Sequence, residues 1–295
     1  FGFGDSQHMA IGVDNTGIVG PGRAGARNQR RSPLVVNTEF YPALMWTARF
    51  VALSGDPFDN SLGFKFPPPE NVITTTQTLL QAQGSVPSTE LVEMAGFTGI
   101  TANPGSFGPA HFQFDDGHGQ TLPAPDGTGF HNFPIQDAVD ARLNATGEYR
   151  SLFGAAFNGG PPLPPGGITI HMRREALAEF EMSLPGANAP VDRFARGDNG
   201  AMTKKQKRGA LLFFGQAGCV SCHSVAGRSN EMFSDFQLHR IGGPQVFPQF
   251  GVGLGNVIFD GPGSNEDFGG EQTTGDPSLR YMFRTAPLRN LAVAP

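Results

Sequence analysis

The stretch Cys219-Val220-Ser221-Cys222-His223 decides the fold, because its residue types and their spacing dictate one chemistry. Two thiols three positions apart can add to the two vinyl groups of a haem, and His223 then becomes an axial ligand of the iron. These two cysteines are the only ones in 295 residues. A structural zinc site takes four ligands, usually from two such pairs, and a thioredoxin-like redox pair does not require the histidine. The motif therefore predicts a covalently attached haem c.

The composition indicates a loop-rich globular protein. The chain has 41 glycines and 25 prolines beside 26 phenylalanines, whereas disordered chains are poor in aromatic residues. Only 16% of the residues are charged and the net charge is −5, so no nucleic-acid partner is indicated. No apolar run approaches the roughly eighteen residues that span a bilayer. Haem c is attached outside the cytoplasm, so the motif also predicts a periplasmic or otherwise exported protein.

The periodicity of apolar residues predicts several helices joined by long loops. Helices are expected over residues 41–53, 75–83, 135–157 and 168–184, and a further helix capped by Thr203 leads into the cysteine motif. The strongest of them, over 168–184, carries an apolar stripe composed of Met172, Ala176, Leu177, Phe180 and Leu184. The LPGANAP segment after it reads as a domain boundary.

Several segments together resemble the bacterial di-haem cytochrome c peroxidase family, which includes the MauG-type enzymes. They are RRSPLVVNTEFYPALMW, LLQAQGSVPSTELVEMAG, ITIHMRREALAEFEMSL, KRGALLFFGQAGCVSCHS and FRTAPLRNLAVAP, in the family's order. The resemblance implies a mainly α fold of two cytochrome c-like domains with long Gly/Pro-rich loops. A peroxidatic domain would cover residues 1–186, and an electron-transfer domain residues 187–295. The family's first haem motif would lie just upstream of Phe1, and the last ligand of the second haem beyond Pro295.

The resemblance also assigns the catalytic residues. Glu93, in a VEM segment, matches the family's general acid–base, and Gln81, in an LxxQA-like segment, matches the amide that holds the peroxide. Trp46 matches the tryptophan that relays electrons between the haems, although an ordinary buried aromatic would look the same. The family usually reads WDGR there, and this chain reads Trp46-Thr47-Ala48-Arg49.

Further residues are candidates for binding the cofactor. His223 is the expected proximal ligand of the haem iron, and His239 lies where a polar side chain could reach a haem propionate, with an exposed loop histidine as the equal alternative. Arg284 and Arg289 are candidates for propionate pairing, because arginine binds carboxylates through two hydrogen bonds. The family also holds calcium between its domains through an asparagine that matches Asn28. Here an insertion places Arg31 directly before Ser32-Pro33 and displaces Asn28, so whether calcium binds stays open.

The resemblance implies three functions, which the residues alone do not separate. The first is reduction of hydrogen peroxide to water, with electrons from a small periplasmic cytochrome c or cupredoxin. The second is MauG-like oxidation of a protein or small-molecule substrate, and the third is electron transfer without catalysis. A second haem is expected in the parent protein, because one peroxide takes two electrons and one haem supplies one. Similar proteins are usually homodimers.

Overall fold

The computed structural model describes residues 33–66, 71–87, 133–242 and 267–291. Its helices are α1 Leu79–Gln83, α2 Phe133–Ala145, α3 Gly147–Phe157, α4 Ile170–Met182, α5 Pro190–Ala195, α6 Lys204–Phe214 and α7 Gly270–Thr274. Its strands are β1 Ala43–Leu44, β2 Phe50–Ala52, β3 Phe64–Lys65, β4 Val72–Ile73, β5 Leu238–Arg240 and β6 Met282–Arg284. None of the helices in these ranges has the length and apolarity that crossing a membrane demands. The expected predominance of helix is confirmed, while the division into two domains at residue 186 stays a prediction.

The first four strands form an antiparallel sheet in which each strand pairs with the next along the chain. Val51 pairs with both Ala43 and Lys65, which fixes the register of the first three strands. Phe50 and Phe64 are fully buried, and the ring centroid of Phe50 lies 4.6 Å from that of the next buried ring, Phe66. Helix α1 contributes Leu79 and Leu80 to the same core cluster, so the sheet holds α1 in place.

The helix predicted over residues 41–53 is wrong, because strands β1 and β2 occupy that segment as a hairpin. Met45 and Ala48 in the connecting turn have φ angles of 67° and 50°, which a right-handed helix does not contain. The backbone N–H of Arg284 donates to the carbonyl of Trp46 at 2.7 Å, and its side-chain Nε donates to the carbonyl of Met45 at 2.7 Å. Contacts from a residue far along the chain therefore stabilise a turn that local periodicity could not predict.

The other predicted helices are present with adjusted ends. Helix α1 begins after Thr78, whose hydroxyl accepts from the Gln81 backbone N–H, so it is shorter than the predicted 75–83. The helix expected over 135–157 is divided at Thr146 into α2 and α3. The prediction that Thr203 caps the helix leading into the cysteine motif is confirmed: its hydroxyl accepts from the Gln206 N–H, and the Gln206 side chain accepts from the Thr203 N–H.

Helix α4 is confirmed, but its buried face is not the apolar stripe. Leu177 and Phe180 are 41% and 61% exposed, whereas Arg173 and Arg174 are only 7% and 5% exposed. Burial of Arg173 is possible because its Nε lies 2.7 Å from Oδ1 of Asp140 on α2, which neutralises the charge. The apolar stripe was predicted from hydropathy alone, which gives no information about the ion pair between Arg173 and Asp140.

The C-terminal part of the chain returns to the first sheet. Strands β5 and β6 pair antiparallel, with His239 opposite Phe283. The hydroxyls of Thr47 and Thr273 are hydrogen-bonded at 2.8 Å, which joins the hairpin turn to α7. The Tyr41 ring lies 5.2 Å from that of Phe236, in the loop that precedes β5. These contacts bring the turn that carries Trp46 next to the segment that follows the cysteine motif.

Candidate functional site

The cysteine motif forms a single tight turn after α6. Gly218 has a φ of 67°, a left-handed conformation that suits glycine, and a 3₁₀ turn follows over Cys219–Ser221. The backbone N–H of His223 donates to the Cys219 carbonyl at 2.9 Å and closes the turn. Both cysteines carry free thiols, exposed at Cys219 and half-buried at Cys222. The turn therefore presents two accessible sulfurs beside one imidazole.

The His223 imidazole is held by a backbone carbonyl. Its Nδ1 lies 2.9 Å from the carbonyl oxygen of Phe233, and because a carbonyl only accepts, Nδ1 carries the proton. The other nitrogen, Nε2, is then unprotonated in the neutral ring and is the nitrogen that can bind a metal. Phe213 of α6 packs near this imidazole, with 6.5 Å between the ring centroids. This arrangement suits an axial ligand of haem iron.

Apolar side chains lie near this imidazole on α6 and in the loop that follows the motif. A cavity of about 240 Å³ is bordered by Phe213, Phe233 and Leu288, among other residues. On α6, Leu211, Leu212 and Phe214 are exposed, and Leu211 is 74% exposed. Large apolar side chains exposed together indicate a surface that another group covers. The two thiols, the free Nε2 and these apolar side chains fit a haem c, in which Cys219 and Cys222 would form the thioethers and His223 would bind the iron.

His239 lies close to the motif through Asp235. Its Nε2 donates to Oδ2 of Asp235 at 2.8 Å, and the backbone N–H of Asp235 donates to the Cys222 carbonyl at 2.8 Å. The ligand atoms of Cys222, Asp235 and His239 lie within 4.8 Å of one another. Within the described residues this group lacks the fourth ligand of a structural zinc site. Whether His239 reaches a propionate stays a prediction.

Trp46 and Arg284, two of the predicted site residues, lie together. Trp46 is half-buried in the hairpin turn, and its carbonyl accepts from the Arg284 backbone. The Arg284 guanidinium lies 5.4 Å from the Phe236 ring centroid and 5.9 Å from that of Tyr41. Burial lowers the pKa of Arg284 to about 10, against the opposing effect of Tyr41. Arg284 therefore supports the turn that presents Trp46, and its pairing with a propionate stays a prediction.

Arg289 supports the segment that holds His223. Its Nη1 lies 2.8 Å from Oδ2 of Asp192 on α5, and its Nε donates to the Glu231 carbonyl at 2.8 Å. Its guanidinium lies 5.6 Å from the centroid of Phe233, the residue whose carbonyl anchors the imidazole. Arg289 is thus engaged in a buried ion pair, and its predicted pairing with a propionate stays a prediction.

Replacing Asp192 with Asn is expected to lower the free energy of unfolding by about 3 kcal/mol, because it removes the buried counter-ion of Arg289. The exposed Glu231 carboxylate, 3.7 Å from Nη2 of Arg289, would then be its remaining acidic partner among the described residues. The hydrogen bond from Arg289 holds the pKa of Asp192 below its ordinary 3.8, although burial opposes this. The stabilisation is therefore complete above pH 3.8 and is lost as the pH falls through the lowered pKa. Denaturant unfolding of both proteins at several pH values measures the difference.

The control for that variant is Asp198→Asn, which alters an exposed aspartate in the turn after α5 and should change stability little. Equal stability of the wild type and Asp192→Asn at pH 7 would show that the ion pair does not hold this segment.

The remaining predicted residues are only partly placed. Gln81 lies on α1, half-buried, and its side-chain oxygen accepts from the Gln77 backbone N–H at 2.8 Å. Glu93 and Asn28 lie outside the described residues, so their roles stay predictions. The sequence did not single out Phe233 or Asp192. No sequence signal marks a backbone carbonyl as a partner of His223, whereas Asp192 could have been noticed as the capping acid of α5.

Comparison with known proteins places the chain in a family. Residues 1–200 match the family model described as di-haem cytochrome c peroxidase. The chain is 34% identical over 155 residues to the methylamine utilization protein MauG of Methylorubrum extorquens, covering 52% of this chain and 36% of that protein. It is 28% identical over 189 residues to the cytochrome c551 peroxidase of Pseudomonas aeruginosa, covering 61% of this chain and 47% of that protein.

A solved structure has a similar fold. The crystal structure of a MauG-like protein associated with microbial copper homeostasis superposes with a TM-score of 0.51 at 18% identity, covering 97% of this chain and 59% of that chain. At this identity the match concerns the fold alone. The chain spans less than half the length of the two curated relatives above. With a family model that matches residues 1–200, the chain belongs to the di-haem cytochrome c peroxidase family.

Proposed function

We propose that this chain is part of a di-haem c-type peroxidase that reduces hydrogen peroxide to water. The observation that carries the proposal is the cysteine turn, in which two free thiols are followed directly by an imidazole whose Nδ1 is held by the Phe233 carbonyl. Haem c bound there would supply one-electron redox chemistry. A second haem is expected in the parent protein, and Gln81 and Glu93 are the residues proposed to act on the peroxide at its site.

In this proposal Glu93 moves protons. Breaking the O–O bond of a peroxide requires a proton to pass from one peroxide oxygen to the other, which then leaves as water. A carboxylate beside the peroxide accepts the first proton and donates it to the second oxygen. The Gln81 amide would hold the peroxide in line for this transfer. Helix α1, which the Phe50 core cluster fixes in place, provides a rigid support for Gln81.

Cys219, Cys222 and His223 would hold the haem that supplies electron entry, and Trp46 would serve as the relay residue between the two haem sites. The contact of Arg284 with the Trp46 carbonyl supports this role, because it links the tryptophan turn to β6, which pairs with the strand β5 that follows the cysteine motif. The donor would be a small cytochrome c or cupredoxin in the periplasm or another exported compartment. We further propose a division of the chain near residue 186 into two cytochrome c-like domains, and a homodimeric assembly.

MauG-like oxidation of a protein or small-molecule substrate is the second candidate. The 34% identity to the MauG of Methylorubrum extorquens over half of this chain favours it. The third candidate function, electron transfer without catalysis, would not require Glu93 or Gln81, the two residues proposed to act on peroxide.

Steady-state turnover of hydrogen peroxide by the haem-loaded full-length protein separates these functions. A reduced small cytochrome c serves as donor, and its oxidation is followed spectrophotometrically. The peroxidase proposal expects two donor molecules oxidised for each peroxide consumed, in many turnovers. Donor oxidation that does not depend on peroxide would leave only a carrier, and peroxide consumption that the donor does not accelerate would favour MauG-like chemistry.

A further inference from the structure

Basic residues are concentrated on helices α5 and α6, just before the cysteine turn. Six of the chain's 21 lysines and arginines fall between positions 193 and 208, where Asp198 is the only acidic residue. We call this group the basic cluster, and it consists of Arg193, Arg196, Lys204, Lys205, Lys207 and Arg208. The whole chain carries a net charge of −5, so the cluster reverses the sign of the overall charge locally.

The structure brings the two helices of the cluster into contact. The Nζ of Lys207 on α6 lies 4.9 Å from the ring centroid of Phe194 on α5. The same Nζ donates to the carbonyl of Asn199, in the turn between the helices, at 2.7 Å. These contacts fix the start of α6 against α5, so the six positive charges lie in one region of the surface.

The positive charges of the cluster are not neutralised by nearby acids. Lys204, Lys205 and Arg208 are exposed. The two arginines of α5 donate to oxygens of Asn188, a neutral residue, at 3.0 and 2.9 Å. None of the ion pairs within the described residues includes a member of the cluster. The cluster therefore presents a net positive charge to the solvent.

The placement of these charges opposes the stability of α6. Lys204 and Lys205 occupy the first turn, which has no acidic residue, although the positive end of the helix dipole favours acids there. Arg208 follows them at spacings of four and three residues, at which like charges on a helix repel each other. The charges thus destabilise the helix that carries them, which indicates a role in contacting another molecule.

The basic cluster borders the proposed haem site. Leu211 and Leu212 lie three and four residues after Arg208, so they share its side of α6, and both are exposed. Cys219 follows five residues after the end of α6. A protein that delivers an electron to the site at Cys219 must approach this end of α6. The cluster therefore lies where an electron donor would make contact.

We propose that the basic cluster is the docking surface for an electron donor whose surface is acidic around its own redox centre. This inference rests on the electron entry in the proposed function. Opposite charges steer two proteins together and raise the rate of association. A transient complex between redox proteins has a small interface, so the charge of the donor decides how fast it reacts.

Stopped-flow reduction of the haem-loaded full-length protein, without peroxide, tests the proposal. The probes are two reduced small c-type cytochromes, one of net negative and one of net positive charge. The bimolecular rate constant for the acidic cytochrome should fall as the ionic strength rises from about 0.01 M to about 1 M, which shortens the Debye length from about 30 Å to about 3 Å.

The variant Lys204→Glu/Lys205→Glu/Arg208→Glu reverses the charge of the cluster. At low salt its rate constant with the acidic cytochrome should be at least about tenfold below that of the wild type. With the basic cytochrome it should react faster than the wild type. Acids at the start of a helix favour the helix, so thermal unfolding should show that this variant is at least as stable as the wild type.

Lys205→Glu and Lys65→Glu form a matched pair, because each replaces an exposed lysine and changes the net charge equally. Lys65 lies on β3, outside the cluster, and its replacement should leave the rate constant with the acidic cytochrome unchanged. Lys205→Glu should lower it. If the triple variant fails to fold, this pair decides the question.

Equal rate constants for the wild type and the charge-reversal variants, or reduction by neither cytochrome, overturn the inference. A wild-type dimer that the triple variant loses in sedimentation velocity also overturns it, because the cluster would then bind a second copy of this chain. Binding to phosphatidylglycerol vesicles that the variant loses, with unchanged rate constants, would assign the cluster to an anionic membrane and overturn it as well.

This outcome is separate from the test of peroxide turnover. A wild type that accepts electrons with the expected salt dependence but consumes no peroxide defeats the proposed peroxidase function and leaves the docking surface in place. Normal turnover together with equal rate constants defeats the docking surface alone.

Discussion

The variant Cys219→Ser/Cys222→Ser is expected to lose the covalently attached haem of this chain completely. A thioether forms only from a thiol, so neither serine can be joined to a vinyl group. The wild-type turn leaves Cys219 exposed and Cys222 half-buried, both as free thiols, and leaves the imidazole Nε2 of His223 available for iron. Denaturing mass spectrometry should show the variant lighter than the wild type by one haem, beyond the mass of the substitutions.

Ser221→Ala is the control for this double variant. Ser221 lies between the cysteines, and its hydroxyl donates to the Gly218 carbonyl at 2.7 Å, so the change perturbs the same turn without removing a sulfur. The control should keep its haem. A double variant that retains the wild-type haem mass would contradict the assignment of the motif, and zinc released from the wild-type protein by thiol-modifying reagents would support a metal site instead.

Glu93→Gln is expected to lower peroxide turnover by roughly 100- to 10,000-fold, the usual contribution of a general acid–base. Glutamine has nearly the same size and polarity as glutamate but cannot accept and return a proton. The haem spectra and the reduction of the protein by its donor should not change, because electron transfer does not use this carboxyl group. Stopped-flow measurement of peroxide consumption by the reduced protein reports the chemical step directly.

Glu90→Gln provides the matched control, since Glu90 lies three residues before Glu93 in the same segment and has no proposed role. Its turnover should equal that of the wild type. A Glu93→Gln protein that consumes peroxide at the wild-type rate would require another proton donor, and an equal loss in both variants would indicate a structural effect on the segment.

The predictions that were confirmed rest on local signals. Thr203 begins α6 because a capping box needs only two residues three positions apart. The helical pattern over 135–157 is also confirmed, in the two helices α2 and α3 that are separated at Thr146. Short-range chemistry of this kind can be predicted from the order of residues alone.

The predictions that failed depend on contacts between distant residues. The segment over 41–53 has an apolar pattern that suits a helix, but Arg284 donates to the carbonyls of Met45 and Trp46 and holds a turn there. The apolar stripe on α4 misled because the Asp140 carboxylate makes burial of Arg173 favourable. Neither partner is identifiable before the fold is known.

In the candidate site, too, the features that depend on local sequence were predicted, and those that depend on contacts between distant residues were not. The motif predicted the two sulfurs and the imidazole, whereas the Phe233 carbonyl that fixes the tautomer of His223 carries no sequence signal. Arg289 was expected at a propionate, and in the structure it pairs with Asp192 instead of facing solvent. The roles of Glu93 and Gln81 come from resemblance to the family, since nothing in their local sequence distinguishes them from other helical residues.

The number of haems per chain tests the account most directly. The full-length protein, purified from cells that attach haem c, can be assayed for covalent haem as its alkaline pyridine complex and for protein by amino-acid analysis. The account predicts two haems per chain, one of which disappears when Cys219 and Cys222 are replaced. A colourless protein, or one that holds zinc at these two sulfurs, would contradict it, and a single haem would reduce it to an electron carrier.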